Sequence, residues 1–362
     1  MTTVASVLAE LNARAPGDKA AGWDAHGLQI GDPSAEVMRL AVCHEVTDQV
    51  ASQAVEGAVD LLISYHPLLF KPTTRLVAGA GPLGRAYRLA RAGVGVGIVH
   101  TAWDAAAGGT ADALAAALGL TGVARFGPID SSPLTKLVTF VPPRAVEAVA
   151  RALTEAGAGR IGNYSGCSFR SEGIGTFIPG PGAQPVTGRI GGASEEHEVR
   201  LEILLARSLE GRVVAALHGS HPYEEPPFDL LEVRANVGLF GRVGSVDPPL
   251  SLGDFTDRVT ETLRSRPRCS GDRNRAVTRV ALLPGAGGSF VEAAVDTGAD
   301  VYVTGDLSHH QTRAALDLGM STIDPGHAAT ERPGVIQLMK VARTIMPDVI
   351  DLTEEATPWK EN

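Results

Sequence analysis

The chain has 362 residues, 44% of them apolar and 20% charged, with a formal net charge of −9 and a pI near 5.6. That length suits one large domain or two ordinary ones with a sizeable core, and the acidic balance argues against nucleic acid or a membrane surface as the default partner. Three scattered cysteines, Cys43, Cys167 and Cys269, with no C-x-x-C spacing, exclude a disulfide framework and a cysteine zinc knuckle and fit a reducing, cytoplasmic setting.

Residues 2–14 carry Val4, Val7, Leu8 and Leu11 at helical spacing and read as an amphipathic helix rather than a signal peptide. Trp23 to Gly31 reads as a glycine-punctuated loop with a short apolar centre. Strands are expected at 38–43, 59–64 and 94–99, separated by helices at 47–57 and 81–92, with a further helix opened by Gly108-Gly109-Thr110 and running to 118. Strands alternating with helices imply crossover connections and a largely parallel sheet. No apolar run reaches the ~18 residues of a membrane span.

The pattern changes between 125 and 237. Strands at 136–141, 169–178, 198–205 and 228–233 and helices at 144–156 and 209–217 follow the order β-α-β-β-α-β, that of a ferredoxin-like α+β domain. A glycine-rich polar stretch, Gly157 to Ser165, and a turn, His221 to Pro226, interrupt it. The α/β pattern then resumes. Helices are expected at 252–264, 289–297 and 308–318, and strands at 277–283, 300–304 and 321–323, with a polar loop at 268–275. A last helix runs from Pro333, suited to a first turn, to Ile345, and the polar tail from Asp351 to Asn362 reads as frayed. The fold expected is α/β, with residues 1–124 and 238–362 forming halves of one domain and 125–237 inserted between them. No internal repeat of solenoid length is present.

Three segments place histidine or carboxylate just past a strand: Ser64-Tyr65-His66-Pro67, His100-Thr101-Ala102-Trp103-Asp104 and Gly326-His327-Ala328-Ala329-Thr330-Glu331. In an α/β sheet the C-terminal strand ends are where ligands bind. Histidine and carboxylate are natural ligands of zinc, iron or manganese. Each residue alone has a plainer explanation: His66 as a turn residue, Asp104 as a helix cap, Glu331 as a first-turn acid favoured by the helix dipole, Trp103 as core. Their co-occurrence at several strand ends is what points to a divalent metal site, with one or two ions per chain. His327 and Glu331 would share a helix face, but Pro333 argues that the helix starts after them. Thr304-Gly305-Asp306, with His309 and His310, is a candidate for orienting a ligand, against a solvated helix start. Gly285 to Ser289 could bind phosphate through its amides, but it lacks a Walker lysine and reads better as a tight turn.

In combination, Gly27-Leu28-Gln29-Ile30-Gly31, His66-Pro67-Leu68, His100-Thr101-x-x-Asp104, Thr304-Gly305-Asp306 and Gly326-His327-x-x-x-Glu331 resemble the NIF-three-like dinuclear-metal proteins, commonly named GTP cyclohydrolase 1 type 2 homologs. Gly159 to Phe169 and His221 to Pro226 resemble the PII/CutA-like insertion of the longer bacterial members. The resemblance implies a NIF-three-like mixed-sheet domain, a toroidal homohexamer, and a two-metal site of His66, Asp104, His327 and bridging Glu331. It departs from the family at Tyr65, where a second histidine is usual, and at His44, where an aspartate is expected; His100 could compensate. The activity implied is metal-dependent hydrolysis of a small molecule such as a nucleotide, with His100 as a proton shuttle. Phosphoester hydrolysis and a non-catalytic regulatory or scaffold hexamer are the alternatives.

Overall fold

The computed structural model describes residues 2–129, 134–161, 164–233 and 238–354. The chain divides into two units, residues 1–131 with 236–362, and residues 132–235. In chain order the first stretch forms α1 (Val4–Arg14), β1 (Gly27–Ile30), β2 (Leu40–Cys43), α2 (Asp48–Glu56), β3 (Leu61–Ser64), α3 (Gly81–Arg91), β4 (Gly95–Ile98), α4 (His100–Ala105), α5 (Thr110–Ala117) and β5 (Thr121–Ile129). The second unit holds β6 (Leu134–Val141), α6 (Val146–Glu155), β7 (Ser168–Phe177), β8 (Ser194–Ala206), α7 (Glu210–Ser220) and β9 (Phe228–Val233). The chain then returns with β10 (Gly238–Ser251), α8 (Leu252–Leu263), β11 (Arg268–Ser270), β12 (Ala276–Ala286), α9 (Val291–Asp296), β13 (Val301–Gly305), α10 (His309–Asp317), β14 (Ser321–Asp324), α11 (His327–Ile345) and β15 (Val349–Leu352).

The first unit is built on two mixed sheets, of order β1-β4-β3-β2-β15 and β11-β14-β13-β12-β10-β5. Each has a parallel centre: β2, β3, β4 and β15 in the first, β12, β13 and β14 in the second. Central strands covered on both faces should be apolar throughout, and every residue of β2, β3 and β4 is buried. Alternate residues go to opposite layers. Val42 and Ile63 pack with Val7 and Leu11 of α1, Trp103 of α4 and Leu338 of α11. Ala41, Cys43 and Leu62 pack with Val50 and Ala54 of α2 and with Leu89 of α3. In the second sheet Leu282 and Val303 meet Leu114 of α5 and Phe255 of α8, while Leu283 and Tyr302 meet Val291 of α9 and Ala315 of α10.

The two halves of this unit repeat one another. The runs β2-α2-β3-α3-β4 and β12-α9-β13-α10-β14 share their connectivity, and the same capping device recurs in each. Asp60 Oδ2 accepts from the amides of Met38 and Arg39, both at 2.8 Å, and Asp300 Oδ2 from those of Thr278 and Arg279 at 2.8 and 2.9 Å. These side chains satisfy backbone donors at the entrance of β2 and β12. The repeat has drifted too far in side chains to show as sequence periodicity.

Several elements differ from expectation for identifiable reasons. The long β10 contains Pro248 and Pro249, which cannot donate to a ladder; its pairing with β12 shifts register between Ser245 and Leu250 to accommodate them. Leu28 to Ile30, read as loop, pair with β4 as an edge strand. Val349 to Leu352, at the start of the expected frayed tail, add to β2 in parallel; residues 355–362 of that tail lie outside the described residues. Residues 268–270, read as loop, pair with β14. Residues 125–129, assigned by sequence to the insertion, belong to β5, which pairs with β10. The largely parallel pairing expected from the alternation holds at the centre of each sheet, and antiparallel edge strands make both sheets mixed, as the family resemblance implied. Helix α11 begins at His327, six residues before the Pro333 expected to open it, and Pro333 lies inside it.

The second unit is an antiparallel sheet of order β7-β8-β6-β9 with α6 and α7 on one face, the βαββαβ arrangement expected of a ferredoxin-like fold. Leu201, Ile203 and Leu205 of β8 pack with Val149 and Leu153 of α6 and with Val213 and Leu217 of α7. Gly162 and Asn163 of the glycine-rich stretch lie outside the described residues.

Candidate metal centre

The strand ends of the first sheet are held in step beyond the last regular pair. The Tyr65 amide donates to Cys43 O (3.0 Å), the His66 amide to His44 O (2.9 Å) and the His100 amide to Tyr65 O (2.9 Å). These bonds extend the ladder by one or two residues and bring His44, His66 and His100 side by side. His100 has φ +28°, a backbone conformation that costs energy in a non-glycine residue and clusters at functional sites. It opens the short, wholly buried helix α4, which places Asp104 one turn further along the same face. On the other side, α11 carries His327 and Glu331 one turn apart. Gly305 lets β13 approach this helix start; a Cβ there would lie 2.7 Å from the His327 backbone. Gly285, at φ +69°, would with a Cβ come within 2.8 Å of Glu331 Oε1. The glycine-rich segment at 285–289 is therefore a packing turn, and its Gly287 amide is already bonded to Thr304 Oγ1 at 2.9 Å.

Glu331 is the hub. Its Oε2 lies 2.8 Å from His44 Nε2 and 3.0 Å from His66 Nε2, and its Oε1 3.0 Å from His327 Nε2. His44, His66 and Glu331 present ligand atoms that all fall within 4.8 Å of one another. Tyr65 is fully buried, and its hydroxyl donates to Asp104 Oδ1 at 2.5 Å with a longer contact of 3.4 Å to Glu331 Oε1. Outside this ring, Asp306 Oδ2 holds His327 Nδ1 at 2.7 Å, and Asp24 Oδ1 holds His100 Nδ1 at 2.7 Å while its other oxygen accepts from Thr101. A carboxylate on the far nitrogen fixes the tautomer and aims Nε2 inward, the usual arrangement behind a metal-binding imidazole.

Burial and neighbouring charge compete throughout. Burial alone would raise Glu331, but hydrogen bonds from His327, His44 and His66 hold its carboxyl well below the usual range. Asp104 is pushed up to about 6, chiefly by burial and by repulsion from Glu331, against its contacts with His100, Tyr65 and Thr110. Burial and the two carboxylates Asp104 and Glu331 raise the Tyr65 phenol well above its ordinary value. Burial depresses His66, whereas Glu331 and Asp306 outweigh burial to lift His327 to about 9.

The donor set fits a divalent ion. Neighbouring ligands on one ion with bonds of about 2.0–2.2 Å lie ~3 Å apart, which is the spacing of the Glu331 oxygens from the three imidazole nitrogens. Of the residues expected at the site, the structure brings His66, His327 and Glu331 into direct contact, with Asp104 and Tyr65 joined to each other at the edge of the cluster. His100 is adjacent, its ring 5.1 Å from that of His66. His44 enters the contact group, although the sequence marked it only as a departure; it directly follows β2, level with Tyr65 after β3, one residue before His66. Asp24 was not singled out at all, because its role depends on a contact 76 residues away in sequence. His309 and His310 meet edge to face at 5.5 Å and are exposed, and Trp103 is core, its Nε1 bonded to Gly334 O. A buried, hydrogen-bonded phenol stands at position 65, where the family resemblance implies a histidine. Tyr65→His is expected to raise metal content from one ion per chain to two by elemental analysis; two ions already in the wild type would refute this.

A histidine and carboxylate cluster able to hold a metal ion lies at the strand ends of two linked α/β halves, each built on a mixed sheet. A sequence profile for Duf34/NIF3 (NGG1p interacting factor 3) matches residues 2–358, and the chain belongs to that family. It is 40% identical over 311 residues to the GTP cyclohydrolase 1 type 2 homolog of Bacillus subtilis, covering 84% of this chain and 83% of that protein. With the homolog of Mycobacterium leprae the identity is 35% over 369 residues, 98% of this chain and 94% of the other. The crystal structure of a Bacillus cereus protein related to NIF3 superposes with a TM-score of 0.65 at 31% identity, over 100% of this chain and 99% of that one. No helix among the described residues is long and apolar enough to cross a membrane.

Proposed function

We propose that the protein is a metal-dependent hydrolase acting on a substrate with a planar heteroaromatic group. The observation that carries this is the convergence of His44, His66, His327 and Glu331, with Asp104 alongside, next to a histidine held by its own carboxylate. A bound zinc, iron or manganese ion would polarise the scissile bond and lower the pKa of water at the site. Asp24 keeps the Nδ1 proton of His100, which leaves Nε2 to take or give a proton. Trp23 and Phe70 lie beside this histidine, with ring centroids 6.0 and 6.3 Å from it and 5.7 Å from each other. Both are more than half exposed, at 55% and 53%, and offer faces on which a flat ring can stack.

The names of the relatives suggest GTP, ring opening and formate release as the finer reading. Metal-loaded protein is expected to release formate from GTP. Asp104→Ala should abolish release, and Trp23→Ala should raise KM several-fold with little change in kcat. Full metal occupancy without turnover would instead support a non-catalytic regulatory or scaffold role. That second reading is favoured by one contact: the Tyr65 hydroxyl occupies an oxygen of Asp104 that two-metal chemistry would use. A ring-shaped homohexamer is part of the proposal under either reading. It is supported by exposed Met38 and Val77, 71% and 60% accessible, and light scattering would read its mass.

A further inference from the structure

The second unit contains a cavity of about 630 Å³ on the face of its sheet away from α6 and α7. That size is within the range of small-molecule sites. Its walls include Phe140, Phe177, Val186 and Pro227. Residues on this face of β8 should be exposed and polar, yet Glu198 is only 9% accessible. The carboxylate lies across Gly175 of the neighbouring strand, where an added Cβ would be 2.1 Å from Glu198 Oε2. A buried carboxylate is costly unless a cation faces it, and the groups beside Glu198 are the Tyr223 hydroxyl and the His221 ring, itself held below its ordinary value by burial. One further polar atom lining the cavity, Thr187 Oγ1, is buried with no hydrogen-bond partner among the described residues, and the Tyr223 hydroxyl sits against Glu198, where burial together with that carboxylate raises the phenol above its ordinary value. Native proteins seldom leave such atoms unpaired, and a bound ligand is one explanation for those that are.

The segment carrying Tyr223 is fixed rather than loose. The Tyr223 amide donates to His221 Nδ1 at 3.1 Å, and His221 Nε2 donates to Phe140 O at 3.0 Å. The charge of the lining is one-sided. Glu172, Glu198, Glu224 and Glu225 face a single guanidinium, Arg200, whose Nε is bonded to Glu202 at 2.8 Å. All three of the underused groups can accept a hydrogen bond, and an ammonium offers three donors. The aromatic walls add cation–π attraction for the charge and apolar contact for the rest of the molecule.

We propose that this cavity binds a small primary amine with an apolar body, its ammonium seated among Glu198, Tyr223 and Thr187. This site is independent of the metal centre and of the reaction proposed there. The test is isothermal titration of the full-length protein with 2-phenylethylamine, with 2-phenylethanol as the uncharged control. Saturable binding of one amine per chain is expected, with the alcohol at least about tenfold weaker. Glu198→Gln should weaken the amine by about tenfold or more, and Val186→Trp, which fills the cavity from its exposed rim, should abolish binding. Absence of saturable binding through the millimolar range would overturn the proposal, as would an affinity unchanged in both variants. So would a change of molecular mass in Val186→Trp with no amine binding to the wild type, which would make this face an interface between copies of the chain.

Discussion

Glu331→Gln is expected to purify without metal, under conditions in which the wild type retains at least one ion per chain. The carboxylate faces three imidazole nitrogens at 2.8–3.0 Å and is buried, with a side chain only 4% accessible. An amide at this position keeps the volume but loses the negative charge. Its NH₂ can only donate, so at least one histidine facing it loses its acceptor. A carboxylate is a strong ligand for a hard or borderline ion and a neutral amide a weak one. The predicted loss in affinity is at least 100-fold. Removing Asp306, which only orients His327, should cost roughly 10–100-fold, as is usual for groups behind a ligand. Elemental analysis of both variants, with circular dichroism to confirm the fold, decides the matter. Full metal occupancy in Glu331→Gln would place the ion elsewhere.

Asp112→Ala is expected to destabilise the protein by about 3–5 kcal/mol, because it strands a buried guanidinium. Arg242 projects from β10 with a wholly inaccessible side chain, and its Nε is paired with Asp112 on α5. The same guanidinium donates to Leu239 O at 2.9 Å, Gly241 O at 3.0 Å and Ala106 O at 3.3 Å. Ala106 follows α4, so this arginine also fixes the end of the helix that carries Asp104. Arg242→Met should cost less. The Asp112 it leaves behind is 29% accessible and keeps the Gly108 amide at 2.7 Å. Burial works against the Asp112 charge, but Arg242 and the Gly108 amide hold its carboxyl below the ordinary aspartate value. A depressed folded-state pKa stabilises the fold above the unfolded value and ceases to do so as pH falls through the folded one. The cost of Asp112→Ala should therefore be complete near neutral pH and shrink under acid. Urea unfolding at neutral and acidic pH measures this; a loss below about 1 kcal/mol at pH 7 would show that the pair matters little.

The strand ends that build the centre are legible in the sequence because each follows an unbroken apolar run. Such runs mark central parallel strands, and the residues after them must emerge at the same edge of a sheet. His66, His100 and Asp104 can be placed in this way without knowing the strand order. The edge strands are harder to read. β10 contains two prolines that argue locally against a strand, and β15 has only four residues in a polar neighbourhood. The start of α11 is misread because proline is usually a helix opener. The helix instead continues back through Thr330, whose hydroxyl bonds both His327 O and the Gly285 amide. The partnership of Asp24 with His100 is set by how a loop closes over the strand ends, and no local pattern encodes it.

The βαβαβ repeat extends into the centre itself. After the third strand of each half, a helix opens on a histidine followed four residues later by an acid: His100 and Asp104 after β4, His327 and Glu331 after β14. At the position after the middle strand, His66 in one half corresponds to Asp306 in the other, by the pairing of Leu61 with Leu40 and of Val301 with Val280. A chain of half this length, associating with its own copy about a two-fold axis, would assemble the same histidine and acid pairs symmetrically at a dimer interface. Joining the copies removes the need for that symmetry. One half is then free to supply strand-end imidazoles and the other the central carboxylate, each side losing what the other provides.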